Sequence, residues 1–100
     1  MGDFLKDASS VERIIAIAEA NGATAVSVFG SRARGEARPD SDLDLLVEVR
    51  PGTTLFDLIR MQTALSEFLG VRVDVTTAAG LRPRMRDQVL QEARRLVVAA

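Results

Sequence analysis

The sequence predicts an α/β fold: one small mixed β-sheet with helices packed on one side, in the order α-β-β-α-β-α. Three observations carry this. Apolar residues recur at spacings of three and four near residues 11–18, 55–69 and 81–96, as amphipathic helices require. Shorter stretches near 25–29, 42–49 and 71–76 are rich in valine and leucine, the last in strict alternation. Gly, Pro and Asn punctuate the junctions between these stretches. At 100 residues the chain is one domain, residues 1–100, with its core expected over about 11–96.

Residues 1–8 read as a loose start. Ser9 or Ser10 caps the first helix. Val11, Ile14, Ile15 and Ala18 share one face, with Ile17 at its border, and Asn21-Gly22 ends the helix. No chemistry is visible on it. The first strand follows at about Ala25 to Phe29 and halts at Gly30-Ser31. The loop to Ser41 carries Arg32, Arg34 and Arg38 with Gly35 and Pro39. A short helical turn over Arg32 to Glu36 would aim its free N–H groups at an anion.

The second strand is expected over about Asp42 to Val49, ended by Arg50-Pro51-Gly52. Thr53 or Thr54 caps the second helix. Its stripe is Leu55, Leu58, Ile59, Gln62, Leu65, Phe68 and Leu69, and Gly70 is its stop. Phe56 and Met61 lie off that stripe and are read as filling out a broad core face, against an exposed partner patch. Val71, Val73 and Val75 alternate with Arg72, Asp74 and Thr76, which sets Asp74 on the polar face of a half-buried strand. The last helix runs from Leu81 or Pro83 to Leu96, with Leu81, Met85, Val89, Leu90, Ala93 and Leu96 as its apolar face. Arg82, Arg84 and Arg86 crowd its start against the helix dipole, either solvated or facing a partner or nucleotide. Arg94 and Arg95 suit its C-terminal end. Val97 to Ala100 adds a small strand or frays.

Composition narrows the chemistry. Apolar residues make up 47% and charged residues 27%, as in a folded soluble domain. With no Cys and no His, thiol nucleophiles, disulfides, imidazole acid–base catalysis and His/Cys zinc sites are excluded. The net charge of −1 offers no basic field for nucleic acid. With no Tyr or Trp and four Phe, there is little for bases to stack on. Direct nucleic-acid binding is therefore not expected. The N-terminus has no apolar signal core and no stretch approaches a membrane span, so a cytoplasmic protein is expected.

The chemistry-bearing stretch is Val26 to Val49, VSVFGSRARGEARPDSDLDLLVEV. Asp42 and Asp44 sit two apart on a strand and so share a face, with Leu43 turned into the core. Two like charges side by side are unfavourable without a cation, and hard oxygen ligands of this kind suit Mg²⁺ together with substrate phosphates. Taken alone, an Asp-x-Asp of this kind is also an ordinary solvated strand start. Gly30 permits a backbone approach that a Cβ obstructs; free N–H groups in the turn and the Ser31 hydroxyl can cradle phosphate. Arg32 and Arg34 are candidates to meet phosphate charge. Ser41 is a capping or supporting residue beside Asp42.

Gly30-Ser31, ten intervening residues, then Asp42-x-Asp44 resembles the signature of the DNA polymerase β-like nucleotidyltransferase superfamily. The fuller text, GSRARGEARPDSDLDLLVEV, is similar to its minimal nucleotidyltransferase (MNT) branch, with likeness from about Val11 to Leu96. The resemblance implies that Asp74 is the third catalytic acid. Asp42, Asp44 and Asp74 would then hold two Mg²⁺ ions, and Gly30 and Ser31 would hold the β/γ-phosphates of ATP. It further implies the antitoxin of a HEPN/MNT toxin–antitoxin pair, moving AMP from ATP to a tyrosine of a HEPN-domain toxin, an RNase, and silencing it. Two alternatives remain at this point: an antitoxin that blocks the toxin by contact alone, and a nucleotidyltransferase acting on a small-molecule hydroxyl.

Overall fold

The computed structural model of the chain describes residues 3–97. It contains helix α1 (Ala8–Ala20), strand β1 (Ala23–Phe29), strand β2 (Leu43–Val49), helix α2 (Leu55–Leu69), strand β3 (Val73–Thr76), helix α3 (Pro83–Glu92) and a two-residue strand β4 (Arg94–Arg95). Single 3-10 turns lie at Phe4–Lys6 and Ala78–Gly80. The expected α-β-β-α-β-α order is present, with β4 added at its end.

Local chemistry explains the boundaries. Asp7 starts α1: its carboxylate accepts from the Ser10 N–H at 3.2 Å and the Ser10 hydroxyl at 2.6 Å. The cap is thus two to three residues earlier than Ser9 or Ser10, and the serines act as donors to it. These bonds, Ser10 first, hold the Asp7 carboxyl below the usual carboxylate range. The segment read as a loose start is anchored, because Phe4 and Leu5 pack against the core. Helix α2 begins with a reciprocal capping box between Thr54 and Asp57 and ends on Gly70 at φ +70°.

The sheet order is β3-β2-β1-β4. β1 pairs antiparallel with β2 and with β4, and β2 pairs parallel with β3. Alternation sorts the strands' side chains onto two faces. Val26, Val28, Leu43, Leu45, Val47 and Val73 join Ile14 and Ala18 of α1 and Met61 and Leu65 of α2 in one buried cluster. α1 and α2 pack against each other over this face.

Two helical stripes differ from expectation. On α2 the buried positions are Met61 and Leu65, flanked by half-buried Leu58, Gln62 and Leu69. Leu55, Ile59 and Phe68 are exposed, and so is Phe56. The inward face is therefore 58/61/62/65/69. Apolar residues cover more of α2 than the sheet can bury, and the sheet edge selects the face. Gln62 Oε1 accepts the Val75 N–H at 2.9 Å and Ser66 Oγ accepts the Val73 N–H at 3.0 Å. These two polar side chains satisfy edge N–H groups of β3 that would otherwise face solvent.

The last helix is shorter than expected. It stops at Glu92, and Arg94 and Arg95 leave it to pair with Val28 and Ser27 on the free edge of β1. Of its expected apolar face only Val89 is buried, and Met85 and Leu90 are exposed. Unpaired backbone on the β1 edge competes with one more helical turn, and the strand wins. The reading of Val97 to Ala100 as a small strand lies largely outside the described residues; Val97 itself is in neither helix nor strand.

Candidate active site

The candidate site lies where β1 ends and β2 and β3 begin. Parallel pairing sets Asp44 directly against Asp74, with Leu43 against Val73 and Leu45 against Val75. The flanking apolar side chains enter the core, so both carboxylates stand on the other face. Asp42, in the loop just before β2, is exposed. Asp74 Oδ1 also meets Arg72 Nε at 3.3 Å, an exposed pair that stabilises little. The Asp44 carboxyl is pushed above the ordinary carboxylate range. Burial is the main cause, followed by the charges of Asp74 and Asp42, while Arg34 and Arg72 offset part of the effect.

A glycine turn faces this pair. Gly30 has φ +76°, in the left-handed region. A Cβ on Gly30 would collide with Asp44 Oδ2, so the turn backbone lies directly on the carboxylate. The Gly30 carbonyl accepts from the Ala33 N–H at 3.1 Å and the Arg34 N–H at 3.2 Å. Glu36 N–H closes back on the Ser31 carbonyl at 2.9 Å. The expected helical turn is thus a hydrogen-bonded turn over residues 31–35. Ser31 N–H, Arg32 N–H and the Ser31 hydroxyl have no hydrogen-bond partner among the described residues. Such a run of free donors is a nest for anionic oxygen.

The two arginines differ. Arg32 Nη2 donates to the carbonyls of Ser41 at 2.7 Å and Pro39 at 3.1 Å, and its Nε donates to Ser41 at 3.2 Å. Its guanidinium carbon stands 4.4 Å from the Phe4 ring centre. Arg32 thus fastens the loop to its own far end and to the N-terminal turn. Arg34 is more exposed, bridging Glu36 at 3.1 Å and Glu92 at 2.7 Å. Ser41 Oγ accepts the Arg38 N–H at 2.8 Å, so it braces the loop entering Asp42. Arg82, Arg84 and Arg86 are exposed; Arg86 Nη2 donates to the Ala78 carbonyl at 3.2 Å.

The donor set fits a magnesium ion. It is all oxygen, two carboxylates are in register on rigid strands, and the charges of Asp74 and Asp42 add to the burial that raises the Asp44 pKa, a repulsion that a cation relieves. Among the described residues no three acidic side chains form a ready metal cage. Mg²⁺ does not need one, since it commonly takes one or two carboxylates and completes its shell with water and substrate phosphate. One residue of this neighbourhood escapes sequence reasoning: Glu92, whose Oε1 accepts the Gly30 N–H at 2.7 Å. The available signal was an acid at a helix C-terminus, where the dipole disfavours it.

Comparison with known proteins bears on the family and the fold. The family described as Nucleotidyltransferase domain matches residues 11–96. A Methanocaldococcus jannaschii protein to which protein adenylyltransferase activity is assigned provisionally is 43% identical over 81 residues, 81% of this chain and 87% of its own length. The protein adenylyltransferase MntA of Thermococcus cleftensis is 38% identical over 71 residues, 71% of this chain and 72% of its own. A solved structure provisionally described as a minimal nucleotidyltransferase superposes with TM-score 0.80 at 49% identity, covering 93% of this chain and 95% of that one. The fold also recurs at 18% identity and TM-score 0.67 in a complex of the tri-AMPylated Shewanella oneidensis HEPN toxin with its MNT antitoxin. That match covers 89% of this chain and 70% of the other.

Proposed function

The chain belongs to the nucleotidyltransferase domain family, and on that premise we propose that it moves AMP from ATP to a tyrosine hydroxyl of a HEPN-domain toxin, silencing it as its antitoxin. The observation that carries the reading is the juxtaposition of Asp44 and Asp74 with the Gly30-Ser31 turn. Carboxylates for a cation and free donors for phosphate are what a nucleoside triphosphate requires. The name of the Thermococcus relative and the AMPylated state of the Shewanella toxin support AMP as the transferred group and a toxin as acceptor. A cytoplasmic location is part of this proposal, with ATP as the substrate.

In this mechanism Ser31 N–H, the Ser31 hydroxyl and Arg32 N–H bind the β/γ-phosphates. The Arg32 guanidinium and Ser41 keep the loop in shape, and Arg34 lends positive charge beside the turn. Asp42, Asp44 and Asp74 would hold two Mg²⁺ ions, which supply charge neutralisation at the phosphates and acidify the attacking hydroxyl. The acceptor oxygen bonds to the α-phosphorus, the bond from that phosphorus to the bridging oxygen breaks, and diphosphate leaves. Asp74, on the edge strand β3, takes the hydroxyl proton. No protein nucleophile is involved, which agrees with a chain that has no Cys or His.

Asp42→Ala and Asp44→Ala should each abolish AMP transfer while circular dichroism stays unchanged. Transfer at the wild-type rate by either variant sinks the assignment of the metal site. A contact-only antitoxin is the second reading. It is favoured by Leu55, Phe56 and Ile59, which leave a large apolar patch on the outer side of α2. Neutralisation of the toxin by Asp44→Ala at full strength would select it.

A further inference from the structure

We infer that Glu92 is a positioning residue for the phosphate-binding turn, holding Gly30 by its N–H so that Ser31 and Arg32 present theirs. The inference rests on the nucleotide reading above and assigns a function to the junction of α3 and β4.

Glu92 closes α3, and its side chain is 17% exposed. A carboxylate there is disfavoured by the helix dipole, so its placement needs compensating donors. It has two, both far away in sequence: the Gly30 N–H at 2.7 Å and Arg34 Nη1 at 2.7 Å. The chain around Glu92 is fixed independently. Val89, one turn earlier, is buried, and Arg94, two residues later, pairs with Val28 at the end of β1. The early end of α3 and the existence of β4 thus deliver one carboxylate to the residue after Phe29.

Gly30 is then bounded on both sides. The Asp44 carboxylate fills the space of its missing Cβ, and Glu92 takes its N–H. Its carbonyl is used by Ala33 and Arg34. With every polar group of Gly30 engaged, the donors left for phosphate are the Ser31 N–H, the Ser31 hydroxyl and the Arg32 N–H. Gly30 shapes the cradle and does not donate to it. Glu92 also fixes Arg34, whose charge reaches Asp44.

The test uses the full chain with Glu92→Ala and Glu92→Gln, read by amide exchange at Gly30, by Mg²⁺-ATP affinity and by thermal melting. The Gln variant keeps a carbonyl oxygen for the Gly30 N–H. It should bind Mg²⁺-ATP within about threefold of wild type, because only the charged character of the bond is lost. The Ala variant should expose the Gly30 amide to exchange. It should weaken ATP binding about tenfold or more, as expected when a hydrogen bond to a charged group is removed. In transfer assays the loss should fall on KM for ATP more than on kcat, and Gln should restore it. A Gly30 amide equally protected in wild type and Glu92→Ala overturns the inference, and so does unchanged ATP affinity in a folded Glu92→Ala. If Glu92→Ala does not fold, Glu92→Gln decides: a tenfold loss there overturns the assigned geometry. Wild-type protein that fails to bind Mg²⁺-ATP overturns the nucleotide reading and with it the role given to the turn, whereas Gly30 exchange reports on the Glu92 contact alone.

Discussion

Asp44 carries an ionisation cost that other residues of the site are arranged around. Its native pKa is raised, chiefly by burial and then by Asp74 and Asp42. An acid of this kind binds its proton more tightly folded than unfolded. Its stabilising contribution is complete below the ordinary carboxylate value of 3.8 and is lost as pH rises through the raised native value. Asp44→Asn should therefore melt above wild type at about pH 7 without divalent cations, and the gap should close near pH 3. Melting curves with and without Mg²⁺ check this: the cation should stabilise wild type more than the variant. Equal melting at neutral pH would remove the electrostatic account. Gly30→Ala tests the neighbouring residue. Left-handed backbone costs an L-residue about 1–2 kcal/mol, and displacement of the Asp44 carboxylate adds to it. A lower melting temperature together with lost transfer is expected; a variant that melts normally would contradict the observed φ.

At the level of elements, the loop between β1 and β2 is shaped by Arg32. Its planar fork reaches two carbonyls while its face lies on Phe4. Lysine cannot reproduce both contacts. Arg32→Lys should therefore speed proteolytic nicking within residues 33–41 almost as much as Arg32→Ala, as limited digestion followed by mass spectrometry would show. Nicking of Arg32→Lys at the wild-type rate would mean that charge alone holds the loop. Thr54→Ala removes a complete capping box and should cost roughly 0.5–2 kcal/mol in denaturant unfolding.

The elements also show where sequence was readable. The strands around the site were legible because alternation fixes which side chains share a face, and Val73-Asp74-Val75 announces it outright. Gly30 was legible because turn chemistry is local. The buried face of α2 was not, since apolar residues surround much of that helix and the choice among faces depends on edge N–H groups of β3. The end of α3 was hidden for a similar reason. Arg94 and Arg95 suit a helix terminus locally, and only the free edge of β1, distant in sequence, draws them into a strand. Glu92 owes its place to that same long-range pairing.

For the whole molecule, one cluster under the sheet holds α1 and α2, and the candidate site uses the opposite face. Stability and chemistry are therefore separable. Met61→Ala, at a fully buried position, should lose about 2–5 kcal/mol of unfolding free energy. At temperatures where that variant is still folded, it should keep wild-type Mg²⁺-ATP affinity. A parallel loss of affinity would mean that the two faces are coupled.

Transfer of AMP to a protein hydroxyl is open to direct measurement. Intact-mass spectrometry of this protein mixed with ATP, Mg²⁺ and a candidate HEPN-domain toxin measures that transfer. The partner should gain mass in whole AMP units with the wild-type chain and gain nothing with Asp44→Ala. A partner that stays unmodified while held inactive in a stable complex would contradict it and leave binding as the mode of neutralisation.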